Sequence, residues 1–208
     1  MISPDFLSLV VICLLGAMSP GPSLAVVALH SGRAGIIAGL ACALCHGAGI
    51  FLWAMLTVSG LGSLLLLEPA LFDATRACGA LFLMYLGVRT LRSPSTVATN
   101  LDVSREIPTR LQAAGEGFLI ALANPKIAIF FLALFSQYIQ PHAPITDQLQ
   151  FAATAAIIDA AWYCLVAVSI SRAALLARFR SQGTLLNRCF GAILIGLSLT
   201  MLGTLWVD

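Results

Sequence analysis

The chain has 208 residues, 60% of them hydrophobic and only 10% charged, with a net charge of +2 and a mean hydropathy of +0.97. Soluble globular domains run near half apolar and one quarter charged, so a soluble globule is excluded. Disordered and collagenous chains lack this apolar mass, and a nucleic-acid-binding surface needs a dense basic charge that this chain does not carry. An integral membrane protein remains, and its first partner is the lipid bilayer.

A helix crosses a hydrocarbon core of about 30 Å with roughly 20 apolar residues. Counted on that scale, the uncharged runs predict six crossings. Phe6 to Gly32 contains no Lys, Arg, Asp or Glu. Neither does Ala34 to Leu67, which is long enough for a second crossing and a short turn around Ser59-Gly60-Leu61-Gly62. A third span runs from Leu71 to Leu91, with Asp73, Arg76 and Arg89 near its ends, where long side chains snorkel to the interface. Gly117 to Thr146 has Lys126 as its only charge, Gln148 to Ser171 has only Asp159, and Cys189 to Val207 has none.

These runs lack the period-2 alternation of a membrane β-barrel, so the fold class is all-α. The tail ahead of the first run carries only Asp5 in place of a positive region, which argues for a mature helix over a signal peptide. Arg92 to Glu116 is long, polar and charged. It divides the chain into a first half over 1–91, a cytoplasmic linker over 92–116 and a second half over 117–208. Nine arginines fall in the loops after spans one, three and five: Arg33; Arg89, Arg92, Arg105 and Arg110; Arg172, Arg178, Arg180 and Arg188. The opposite side has Arg76 alone. Positive charge accumulates in cytoplasmic loops, so those three loops face the cytoplasm and both termini face outward.

Three spans per half invert the second half relative to the first, the geometry of an inverted-repeat transporter, whose binding site is marked by interrupted helices at corresponding positions. The first span of each half is interrupted here, by Ser19-Pro20-Gly21-Pro22 and by Asn124-Pro125. Each proline removes a backbone donor and clashes with the preceding turn. The breaks do not match in register: the first sits about fourteen residues into its uncharged run and the second about eight. A plain kink is the structural alternative. On the functional reading the backbone groups freed at Pro20-Gly21-Pro22 are met by protein, water or a bound solute, with the helix start near Ser23 offering N–H groups and a positive end to an anion such as a carboxylate.

Lys126, the only lysine, lies inside its span, where a bare cation is costly. It snorkels to the headgroups, binds an anionic group or pairs with a carboxylate. Asp159 lies near the centre of span five with Trp162 and Tyr163 on the same face, at i+3 and i+4. Acids in that position mark proton or ion pathways, so Asp159 is the candidate proton-coupling residue, with a static ion pair as the alternative. One proton crossing about 150 mV supplies roughly 3.5 kcal/mol, at about 2.3 kcal/mol per 100 mV. That sustains a solute gradient of a few hundredfold, at about 1.4 kcal/mol per decade.

His46 either lines the cavity or bonds a neighbouring helix. With Cys42 and Cys45 it also has a spacing open to a metal-ion exporter or, through the two thiols, to a membrane dithiol oxidoreductase. All six cysteines lie in or beside apolar spans and read first as small hydrophobes. Gly35, Gly39, Ala43 and Gly47 form a smooth stripe on span two, and Gly79, Gly87, Gly191 and Gly196 repeat the theme in spans three and six; these are packing positions. Such stripes serve contacts within a chain as well as between chains, so a homo-oligomer stays open.

Several segments together are specific. Ser19-Pro20-Gly21-Pro22-Ser23 and Ala123-Asn124-Pro125-Lys126-Ile127-Ala128-Ile129-Phe130-Phe131 resemble the LysE/RhtB family of amino-acid exporters in order and spacing. So do Gly79-Ala80-Leu81-Phe82-Leu83-Met84-Tyr85-Leu86-Gly87, Asp159 with Trp162 and Tyr163, and Leu186-Asn187-Arg188-Cys189-Phe190-Gly191. The resemblance implies a carrier in the bacterial inner membrane that expels amino acids or their derivatives by proton antiport. It implies neither enzyme nor cofactor, no resident metal and no nucleic acid. It assigns Pro20, Gly21, Pro22, Asn124, Pro125 and Lys126 to the solute and Asp159 to the proton. The chain departs from the family pattern at Cys45-His46, where small residues are usual, and at Ser136, where proline is common; His46, Trp162 and Tyr163 are cavity-lining candidates from their positions in the spans.

Overall fold

The computed structural model describes residues 4–19, 21–92, 107–136, 144–170 and 173–204. These form eight helices with no strand among the described residues: α1 (Pro4–Met18), α2 (Pro22–Ala34), α3 (Ile36–Leu67), α4 (Pro69–Arg92), α5 (Arg110–Ala123), α6 (Pro125–Phe135), α7 (Ile145–Ile170) and α8 (Ala173–Thr204). The expected all-α membrane class holds. Three segments, Ile36–Leu61, Ala70–Arg92 and Ile145–Ile170, are long and apolar enough to cross a bilayer singly. Two more do so as bent pairs, α1 with α2 at 59° and α5 with α6 at 55°, and α8 carries the apolar segment Gly191–Gly203. Leu7, Leu44, Leu56, Leu81, Leu119 and Leu165 are exposed, an apolar exterior that fits lipid and not water.

Both bends lie where proline interrupts the ladder. Gly21 caps α2 in extended geometry, and Pro22 opens the helix at a position whose N–H has no intrahelical partner. Asn124 ends α5 and caps α6 at once, its Oδ1 accepting from the Lys126 N–H at 3.1 Å, while Pro125 opens α6. Pro20 lies outside the described residues.

Three expectations are corrected. No turn forms at Ser59-Gly60-Leu61-Gly62: α3 runs on to Leu67, with Ser59 Oγ donating to the Met55 carbonyl and Ser63 Oγ to the Ser59 carbonyl, and the chain turns at Glu68. The linker stops short of Glu116, because α5 starts at Arg110 behind a capping box in which Thr109 and Gln112 exchange bonds of 3.2 and 2.7 Å. This earlier start brings the breaks into register, after 15 residues of α1 and 14 of α5. Finally, α8 begins at Ala173, so the stretch expected as the loop before the last span is helical from there on. Arg105 and Arg172 lie outside the described residues.

α3 is the hub. It lies antiparallel to α7, where Gly47 faces Ala156 and Ala160 and Gly39 faces Ala167, and parallel to α5, where Gly117 rides on the Cys42 backbone and Gly49 faces Ala121. α4 and α8 approach most closely where Gly87 meets Gly191. Gly39, Gly47, Gly79, Gly87 and Gly191 thus act as packing positions. Gly35 does not: its φ of +84° ends α2 in a conformation that favours glycine, with open space where a Cβ would stand. Gly196 likewise has nothing within 4 Å. The buried side chains separate into one apolar cluster around α1, α6 and the far half of α3, and a second around α2, Cys42 and Tyr163.

Candidate functional site

The two helix breaks face each other. Lys126 Nζ, at the start of α6, donates to Ser19 Oγ at 2.6 Å, and Asn124 Nδ2 donates to Ser23 Oγ at 3.3 Å. Ser19 and Ser23 flank the first break, Asn124 and Lys126 the second, so a pair of polar contacts ties the interruptions together across about a hundred residues of sequence. α2 starts with no side chain capping it, so its first N–H groups stand free of intrahelical partners at this junction.

Beside the junction, α3 and α7 contribute a buried pair. His46 Nδ1 and Asp159 Oδ2 are 2.7 Å apart, with the imidazole fully enclosed and the carboxylate nearly so. With Asp159 ionised, the Nδ1–H donates to the carboxylate. His46 Nε2 then has no hydrogen-bond partner among the described residues. Tyr163, one turn beyond Asp159, sets its ring edge-on to the imidazole with centroids 4.8 Å apart, which fixes the plane of His46.

These groups border one cavity of about 50 Å³. Since one water needs roughly 10–15 Å³ by this measure, roughly three to five water-sized groups fit. Gly21, Asn124, Lys126, His46, Asp159 and Tyr163 all line it. Pro22 and Pro125 do not; both are exposed, and their part is to open α2 and α6. Trp162 is half-buried outside the lining, because i+3 from Asp159 points away from the cavity while i+4 points into it. The contact of Asp159 is with His46, on a helix that offers no periodic cue to the pairing.

Ser19, Ser23, Cys13 and Phe130 also line the cavity, beyond the residues that the sequence marks for the solute and the proton. The serines flank the Pro-Gly-Pro break, where freed backbone groups need hydroxyls, and that signal was available in the sequence. A second buried histidine, His30 on α2, has its Nε2 2.9 Å from Glu116 Oε2 on α5. Nothing in the sequence joins these two.

For Cys42 and Cys45 the structure offers no support as a metal or dithiol centre. No group of three His, Cys, Asp or Glu residues able to hold a metal occurs among the described residues, and His46 is engaged by Asp159. Cys42 is buried where α5 crosses α3.

A multi-pass helical membrane protein with broken helices around a small chamber lined by charged groups has the architecture in which transporters bind their solutes. Residues 14–204 match the LysE type translocators, and the chain belongs to that family. It is 32% identical over 147 residues to an uncharacterized membrane protein of Pseudomonas aeruginosa, covering 66% of this chain and 65% of that protein. It is 27% identical to the homoserine/homoserine lactone efflux protein of Salmonella typhimurium, with 85% of each chain covered. With the leucine efflux protein of Salmonella choleraesuis it shares 26% identity over 77% of this chain and 74% of that one. No solved structure matches it.

Proposed function

We propose that the protein exports amino acids or their derivatives from the bacterial cytoplasm in exchange for protons. The observation that carries this reading is that Lys126 and the His46–Asp159 pair line the same cavity, between the two helix breaks. An amino acid is a zwitterion, and the cavity offers a cation and uncapped helix N–H groups to its carboxylate and a carboxylate to its ammonium.

Asp159 takes either the solute ammonium or a proton, because one buried carboxylate does not hold both. Occupation by one drives out the other, which makes the movements opposite in direction. His46 holds the carboxylate in place through Nδ1 and presents Nε2 as a second proton position. The names of the homoserine and leucine efflux relatives support the amino-acid class.

An inverted repeat supports alternation between two faces. α5 lies against α3 as α1 lies against α7, and α6 lies against α3 as α2 lies against α7, two pairings that a twofold relation between the halves would produce, while α2 meets α5 and their counterparts α6 and α1 do not approach. The membrane is the inner membrane, and the arginine bias puts both termini outside. The two halves in this reading are residues 1–91 and, from the start of α5, 110–208.

The test is a screen in cells fed dipeptides of each common amino acid. Expression lowers the internal level of at least one of them, and Asp159→Asn abolishes the difference. Identical internal levels with and without the protein, across the whole panel, reject the export reading.

A further inference from the structure

The cavity has two unlike ends. Its polar layer, at Ser19, Lys126, His46 and Asp159, is level with the helix breaks. Each wall helix then continues one turn in the same direction with apolar groups. Ile50 lies four residues past His46 on α3, and Ala155 four residues before Asp159 on the antiparallel α7. Ile127 and Phe130 follow Lys126 on α6, and Gly16 precedes Ser19 on α1. One turn is about 5.4 Å, the reach of a short side chain.

Phe130 lines this compartment and reaches across it to α1. α1 and α6 have no backbone approach within 8 Å among the described residues, yet the Phe130 ring bridges them: a Cβ placed on Gly16 would stand 3.0 Å from its Cζ. The ring occupies space that exists because residue 16 has no side chain. It is buried and braced edge-on by Phe131, with centroids 5.6 Å apart.

We propose that the compartment between the polar layer and Phe130 receives the side chain of the solute, selects uncharged aliphatic side chains, and takes its length limit from Phe130 seated on Gly16. The inference rests on the export reading and names the substrate class within it. A basic or acidic side chain placed there would meet only apolar walls, and burying a charge without a partner is costly. An aliphatic chain gains contact until it reaches the ring. One methylene in such a site changes discrimination by about tenfold or more.

The experiment loads purified protein in liposomes with alanine, valine, leucine, lysine or glutamate and measures exchange for each. The wild type exchanges the aliphatic members and leaves lysine and glutamate behind. Phe130→Ala raises the leucine-to-alanine rate ratio by about tenfold, and Gly16→Ala, which pushes the ring into the compartment, lowers it. A variant ratio equal to that of the wild type overturns the length limit. So does an equal change for all solutes, which would mean the ring acts as a barrier without measuring size. Lysine or glutamate exchange at the alanine rate overturns the charge selection. A wild type that exchanges nothing in the panel brings down the export reading itself, a distinct result. If Phe130→Ala fails to insert, Gly16→Ala decides the question.

Discussion

His46 and Asp159, 113 positions apart, meet through Nδ1 and Oδ2 at 2.7 Å inside the cavity wall. Their meeting requires α3 and α7 to approach closely, and Gly47, one residue from His46, faces Ala160, one residue from Asp159. The glycine is the reason the two side chains can share the space.

The first prediction concerns coupling. In liposomes under an imposed proton gradient, the wild type responds to the gradient and Asp159→Asn does not, because the amide neither takes up nor releases a proton. His46→Asn retains part of the response, since its Nδ2 can stand near the position of Nδ1 and keep the carboxylate oriented, whereas His46→Ala loses it. If Asp159→Asn vesicles follow the gradient as the wild type does, the proton travels elsewhere.

A second prediction separates Lys126 from its partner. Lys126→Met removes the cation facing the first break, so the solute concentration for half-maximal efflux rises by about 10-fold to 100-fold, as expected for a hydrogen bond to a charged group at about 1.5–3 kcal/mol. Ser19→Ala leaves the charge but releases its position, with an expected rise of about fivefold, from roughly 1 kcal/mol. Direct efflux kinetics check both, and a larger effect for Ser19→Ala than for Lys126→Met contradicts the assignment.

Much of this site was legible in the sequence because membrane physics makes the relevant residues expensive. Pro22, Pro125, Lys126 and Asp159 stand out against uncharged runs, and a broken helix or buried charge in lipid calls for compensation. What the sequence did not disclose is which turns meet. The pairing of Asp159 with His46, and the contact of Phe130 with Gly16, depend on helix rotations set by small residues such as Gly47, Gly49 and Gly117. The start of α5 was obscured for another reason. Arg110, Gln112 and Glu116 look like linker, yet Thr109-Arg110-Leu111-Gln112 has the spacing of a capping box and marks a helix start. The turn expected at Ser59-Gly60-Leu61-Gly62 does not form: Ser59 and Ser63 turn their hydroxyls to carbonyls four residues back and not to the N–H groups that a turn would free, and α3 stays unbroken.

The third prediction tests the packing that positions the pair. A Cβ on Gly117 would land on the Cys42 carbonyl, a backbone atom that cannot rotate away. Gly117→Ala therefore forces α5 off α3 at a cost of about 1–3 kcal/mol, lowering the thermal midpoint in detergent by several degrees at about 2–4 °C per kcal/mol. Gly196→Ala, with open space around it, leaves the midpoint unchanged or higher. Equal midpoints for Gly117→Ala and the wild type would show that the two helices have slack at this crossing.

The last prediction addresses His30 and Glu116, which join α2 to α5 on the side of the polar layer away from Phe130. The imidazole is 1% exposed and the carboxylate side chain 55%, so the contact reaches from the interior to the surface. Removing the carboxylate leaves the His30 Nε2 without its partner, a cost of about 1–3 kcal/mol for a buried polar group, and loosens a side-chain bond that joins these two helices. Cys42 lies under this contact, its backbone against Gly117, one residue from Glu116. In a background where Cys42 is the only cysteine, Glu116→Ala should speed its reaction with a water-soluble maleimide by about tenfold, the ratio that 1.4 kcal/mol of easier opening produces. Glu116→Gln keeps an acceptor for the imidazole and should label at the wild-type rate. Should Glu116→Ala label no faster than Glu116→Gln, then α2 and α5 are held together by the apolar contacts around Val27 and Ala113, and the histidine contact adds nothing to closing that side.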